Sequence, residues 1–195
     1  MPEQVAAIEH TIPALCQRSS AIAREKGWVN DVDARPFYTA TILFHSELSE
    51  ALEAYRDNHA VTEVWAGANG KPEGIPIELA DFVIRVCQRT GTDNQAGLLE
   101  NRMMEHLSLF TTDSTRVRDF STIGFEEFLS DLHVSTSLAL QSYSPRDKQH
   151  FFYLGQALAE CFLYCEDNGV NLWEAIDIKE AFNRTRSMRH GGKKI

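Results

Sequence analysis

No stretch of the sequence is apolar for long enough to cross a bilayer, which takes about 20 residues in a helix, so neither a membrane span nor a leader segment is expected. Period-two alternation of apolar and polar residues is also missing over any useful length, which excludes an extended sheet and leaves an all-α fold. Cysteine is scarce: Cys16, Cys87, Cys161 and Cys165 have neither zinc nor redox spacing. Cys161 and Cys165 stand one helical turn apart, with no histidine or second cysteine pair to complete a site. Buried thiols in a reducing, cytoplasmic setting are expected. There is no Glu-x-x-His anywhere, and di-iron helical bundles use that motif on two helices.

Positive charge is short as well. Lys and Arg number 19 against 28 Asp and Glu, a formal charge of −9, so a nucleic acid polymer is not an expected partner. The shortage is uneven. From residue 179 to the end stand Lys179, Arg184, Arg186, Arg189, Lys193 and Lys194 against Glu180 alone. Acid dominates the first 178 residues, and the base is concentrated in the tail.

What is present is an acidic pair of helices. In Leu43 to Arg56, at about 100° per residue, Leu43, Phe44, Leu48, Ala51, Leu52 and Tyr55 share an apolar arc. Glu47 falls inside that arc, Glu50 on its edge and Glu53 away from it. His45 points to the far side from Glu47 and is expected to be structural. In Ile77 to Gln88 apolar residues cover most of the circumference, leaving Glu78, Asp81 and Arg85 as a polar strip. A carboxylate facing a packed interior is costly unless it is paired, protonated or bound to a cation. Acids spaced in this way are ordinarily a solvated face, but the placement of Glu47 and the isolation of Glu78 and Asp81 favour a cation site. Four carboxylates without His or Cys make an oxygen-only donor set suited to Mg²⁺, with Mn²⁺ as the alternative.

A chain of 195 residues can bury one core or two small similar halves. Helical periodicity runs from Val5 to Arg24, where Pro13 can kink or restart the helix, and Trp28 follows in a loop. The turn-rich segment from His59 to Gly74 lets the two acidic helices run antiparallel. Further helices are expected over Ala96 to Phe110, from Phe125, after Ser144-Pro145 and from Leu172 to Thr185, while the segment TTDSTRVRDFSTIG reads as loop.

An internal echo links His45 and Tyr55 to His133 and Tyr143 at an offset of 88, and Cys87 to Cys165 at an offset of 78. Two readings stand: a duplicated helical hairpin, active over about 39–91 and degenerate over about 125–169, or two amphipathic hairpins that merely look alike. Under duplication Ser135 and Leu138 replace Glu47 and Glu50, and Gln156 and Ala159 replace Glu78 and Asp81. A second hairpin would complete a four-helix bundle within one domain.

The phrases HSELSEALEAYR and KPEGIPIELADFVIR, together with the closing NLWEAIDIKEAFNRTRSMRHGGKKI, resemble the MazG-like branch of the all-α nucleoside triphosphate pyrophosphohydrolases. Two departures are visible: residues from about Thr92 to Phe152 separate blocks that nearly adjoin in shorter members, and Ser187 stands where proline is commoner. The resemblance implies Mg²⁺-dependent hydrolysis of a (deoxy)nucleoside triphosphate to monophosphate and pyrophosphate. Glu47, Glu50, Glu78 and Asp81 would be metal ligands, one of them alternatively the general base. Lys179, Asn183, Arg186, Arg189 and Lys193 would meet the phosphates, with Lys71 a weaker candidate. Trp28 would stack on the base, with Trp65 and Trp173 as competitors. The resemblance also implies a homo-oligomer, a dimer first. The rival function is a catalytically silent helical module that binds nucleotides or a partner.

Overall fold

The computed structural model describes residues 10–28, 35–112, 115–116 and 118–189. Among them the chain forms seven α-helices: α1 (Ile12–Glu25), α2 (Phe37–Arg56), α3 (Ile75–Thr92), α4 (Ala96–Phe110), α5 (Phe125–Gln141), α6 (His150–Asp167) and α7 (Leu172–Thr185). Two minimal antiparallel ribbons interrupt them, β1 (Trp65–Ala66) with β2 (Pro72–Glu73), and β3 (Thr111–Thr112) with β4 (Thr115–Arg116). The all-α expectation holds, and among the described residues no helix is long and apolar enough to cross a membrane.

Local chemistry sets the helix starts. Thr11 caps α1 by accepting from the Ala14 amide, and Pro13 occupies the first turn, so it begins the helix rather than kinking one. Pro76 does the same for α3, whose first amides bond to the Gly74 carbonyl. Gly74 has φ of 127°, a left-handed conformation that side chains rarely adopt. Asn171 caps α7 by accepting from Glu174.

Helix α3 is the central element, with its residues from Ile75 to Ile84 buried throughout. Helix α2 lies antiparallel beside it: Phe44 meets Phe82 edge-on at 6.3 Å, and Arg89 near the end of α3 lies over Phe37 at the start of α2. On another side α1 packs so closely that Gly91 has no room for a Cβ beneath the Cys16 carbonyl. Helix α7 covers α3 and bridges back to α1, where Arg18 and Ser19 donate to Glu180 at 2.9 and 3.2 Å.

The second half repeats this plan. Helix α4 packs on α6, with Gly155 set against the Arg102 backbone, and α5 packs on α6 through a Phe128–Tyr164 stack at 3.8 Å. The halves meet where α2 crosses α5. Phe37 stacks on Tyr143 at 4.4 Å, Tyr55 meets Phe125 at 4.9 Å, and between these pairs the rings of His45 and His133 stack at 5.0 Å. Adding 88 to Phe37, His45 and Tyr55 gives Phe125, His133 and Tyr143. Each contact is therefore its own counterpart or exchanges with its counterpart, as a two-fold relation between α2 and α5 requires.

Two three-helix units pack alike, α1 and α2 on α3, and α4 and α5 on α6, so the stretch from Thr92 to Phe152 carries the expected helices α4 and α5. All four cysteines are buried and unbridged, as expected.

Candidate functional site

The acids arrive on two helices. Glu47 and Glu50 lie one turn apart on α2, and Glu78 and Asp81 lie one turn apart at the start of α3. Antiparallel packing brings the pairs together: one carboxylate oxygen from each of Glu47, Glu50 and Glu78 falls within 4.8 Å of the others. Glu47 and Glu78 are buried, whereas Glu50 is exposed and opens the cluster to solvent. The fourth acid, Asp81, is paired with a protein cation: Lys179, on α7 and only 1% exposed, places its ammonium 2.7 Å from Asp81 Oδ2. The same ammonium is 3.9 Å from Glu78.

Burial dominates the electrostatics. It pushes the Glu47 carboxyl up to about 7, with Asp81 and Glu50 adding to the rise and Arg85 opposing it. The Glu78 carboxyl also rises to about 7, driven by burial and opposed most by Lys179. Its Oε2 is buried and has no hydrogen-bond partner among the described residues. Burial would lower the Lys179 ammonium, but Asp81 and Glu78 outweigh it and the pKa is raised. Two buried carboxyls near neutrality, one with an orphaned oxygen, leave negative charge that the protein itself does not fully answer. An all-oxygen set of this kind fits a hard divalent cation.

Glu47, Glu50 and Asp81 line a cavity of about 230 Å³. Of the expected substrate residues, Trp28, Lys71, Lys179, Asn183 and Arg186 line it. Lys71 reaches the site from the β1–β2 ribbon, its ammonium 4.0 Å from Glu50 and 3.9 Å from Glu78. Arg189 does not line the cavity: its side chain donates to the Gly27 carbonyl and its amide to Lys26. Lys193 lies outside the described residues. The competing tryptophans are engaged elsewhere. Trp65 stacks on His59 and donates to Glu73, while Trp173 stacks on His10 and packs against Phe162. His45 is structural, bonded Nδ1 to Nδ1 with His133 at 2.7 Å.

Three cavity residues escape a reading of the sequence as acids plus basic tail. Arg85 donates to Glu47 at 2.5 Å, and Gln88 and Arg35 share the same cavity. Arg85 and Gln88 are detectable in principle, since they continue the Glu78 and Asp81 strip along α3. Arg35 precedes α2 and lies over the Trp28 ring at 5.0 Å, a placement that no periodicity announces.

The second unit holds an acid that the sequence comparison missed. Glu160 on α6 is buried, accepts from Gln156 at 3.0 Å and lies 3.9 Å from the Arg118 guanidinium, which also grips Asp131 at 2.5 Å. A protein cation thus already faces this carboxylate.

No protein-family model matches the chain, and neither does any curated protein or solved structure.

Proposed function

We propose that this protein is a metal-dependent nucleoside triphosphate pyrophosphohydrolase of the MazG-like type, cleaving between the α and β phosphates to give a monophosphate and pyrophosphate. The observation that carries the reading is the meeting of Glu47, Glu50 and Glu78 oxygens within 4.8 Å, two of these acids lining a cavity that also presents Lys71, Lys179, Asn183 and Arg186. Acids interleaved with cations suit a ligand that carries its own divalent ion and several phosphates.

In this reading Glu47, Glu50 and Glu78 hold Mg²⁺ or Mn²⁺. The ion, when bound, neutralises phosphate charge and acidifies an attacking water. One of the site carboxylates, in place of ligating the ion, would accept that water's proton. Lys179 orients Asp81. Lys71, Asn183 and Arg186 face the phosphates, and the Trp28 ring, expected to meet the base, lies beneath the Arg35 guanidinium. A homo-oligomer and the identity of the ion belong to the same proposal.

The test is release of pyrophosphate from a panel of canonical and modified (deoxy)nucleoside triphosphates in Mg²⁺. Activity on at least one is expected. Glu50→Ala or Asp81→Ala should abolish it while helical circular dichroism is retained. A fully silent panel would turn the assignment to a nucleotide- or partner-binding module.

A further inference from the structure

Besides its lysines, the cavity is lined by three guanidinium groups. Arg35, Arg85 and Arg186 come from the segment before α2, from α3 and from the end of α7, and all three line the same space. Arg35 and Arg186 have no ion-pair partner among the described residues. Their neighbours are aromatic rings: Trp28 lies beneath Arg35 at 5.0 Å and Phe182 beneath Arg186 at 5.8 Å. Burial pulls both guanidiniums below their ordinary value; Arg85 adds to this for Arg35, whereas at Arg186 the nearby Asp81 opposes it.

Arg85 differs. Its side chain is 31% exposed, and its one anionic partner among the described residues is Glu47, at 2.5 Å. Glu47 is also one of the three acids whose oxygens converge. One carboxylate is therefore shared between a protein cation and the position where a divalent ion would sit.

Resting on the pyrophosphohydrolase reading, we propose that Arg35, Arg85 and Arg186 form a subsite for the distal phosphates of the nucleotide, and that Arg85 exchanges Glu47 for phosphate when Glu47 takes a divalent cation. The exchange conserves interactions. The Arg85–Glu47 pair is given up, Glu47 gains the divalent ion, and the guanidinium gains a phosphate oxygen, to which its planar fork is matched. Without the ion Arg85 is tied to Glu47, and without the phosphate its release would strand a half-buried cation. Ion and polyphosphate consequently strengthen each other's binding, and the coupling is reciprocal. The substrate class that fits is one with a polyphosphate tail beyond its first phosphate. A monophosphate leaves this subsite unanswered.

Inorganic tripolyphosphate is the probe, because it carries no base and needs no turnover. Calorimetry on the full chain should show that Arg35→Gln weakens tripolyphosphate binding in chelator about tenfold while leaving the affinity for Mn²⁺ alone unchanged. Arg85→Gln should weaken tripolyphosphate similarly but tighten Mn²⁺ alone several-fold at pH 8. It removes a competing cation, and a doubly charged ion feels that loss more strongly than a competing proton does. Wild type should bind the Mg²⁺ complex of tripolyphosphate more tightly than tripolyphosphate alone, and Arg85→Gln should lose most of that gain. Weaker Mn²⁺ binding in Arg85→Gln, or unchanged tripolyphosphate affinity in Arg35→Gln, overturns the proposal. Tripolyphosphate binding by a chain that hydrolyses no nucleotide would leave the subsite standing and remove the enzyme assignment.

Discussion

The Lys179 ammonium sits 2.7 Å from Asp81 Oδ2, so the basic tail region and the acidic helix pair are joined by a buried ion pair nearly a hundred residues apart in sequence. The pair divides the four acids into three that converge and one already held by a protein cation. It also anchors α7 to α3.

Breaking a buried pair by removing one partner is costlier than removing both. Lys179→Met should therefore destabilise the metal-free protein by about 3 kcal/mol, because Asp81 is left buried and uncompensated. Urea unfolding would measure this. Adding Mn²⁺ should recover part of the loss, since a divalent ion can answer the same carboxylates. A variant as stable as wild type without metal would show that the pair contributes little.

Glu78 predicts the opposite sign. With its carboxyl raised to about 7, at pH 8 the group is ionised in a place that disfavours the charge. Glu78→Gln removes that charge, so thermal unfolding of the metal-free protein at pH 8 should shift upward, by on the order of 1–2 kcal/mol. Manganese affinity, followed by electron paramagnetic resonance of the free ion, should fall at least tenfold. Stabilisation accompanied by lost metal binding marks a functional acid, whereas loss of both would make Glu78 structural.

The pH dependence of metal stabilisation follows from Glu47 and Glu78 together. Both folded carboxyls lie near 7, above their ordinary 4.5, so the folded state holds more protons than the unfolded state between those values. Stability contributed by these two groups is present below about 4.5 and is lost as pH rises through 7. Ligand ions compete with the same protons. The rise in melting temperature produced by Mn²⁺ should thus be small at pH 6 and larger at pH 8, and a gain that shrinks as pH rises would contradict the assignment.

His150 works in the other direction. Buried against Phe37 and Tyr143, its imidazole is pushed down to about 4, chiefly by burial, and its Nδ1 has no partner among the described residues. The unfolded state binds the extra proton between 6.5 and 4, so this contribution is complete above 6.5 and lost as pH falls towards 4. Because Glu47 and Glu78 shift oppositely across much of that window, the comparison must be differential. Between pH 7 and pH 4.5 wild type should lose more stability than His150→Gln, as read from urea midpoints at each pH.

Much of the site was legible because a charge on an apolar helical arc has few physical explanations. Glu47 inside the arc of α2 and Glu78 and Asp81 on the strip of α3 could be brought together by antiparallel packing alone. Lys179 and Asn183 share one face of a terminal helix, Arg186 follows directly after it, and all three line the cavity. The division of the acids was not legible, because Lys179 reaching Asp81 depends on how α7 crosses α3, a tertiary distance with no periodic trace. Arg189 and Arg35 fail for the same reason in opposite senses: one carries the expected charge and spends it on the Gly27 carbonyl, while the other sits outside any motif and lines the cavity. For the fold, helix periods located the seven α-helices of the described residues, while the packing of α1 on α3 and of α4 on α6 left no periodic trace; the expected start at Val5 lies outside the described residues.

The seam at His45 and His133 has a consequence for how this protein can change. A homodimer writes every substitution into both of its subunits, so a change that suits one surface is imposed on its mate. Here the two sides of the seam lie on one polypeptide and mutate separately. Glu160 facing Arg118 in one unit, and three carboxylates converging in the other, is an asymmetry that only a covalently joined pair can inherit.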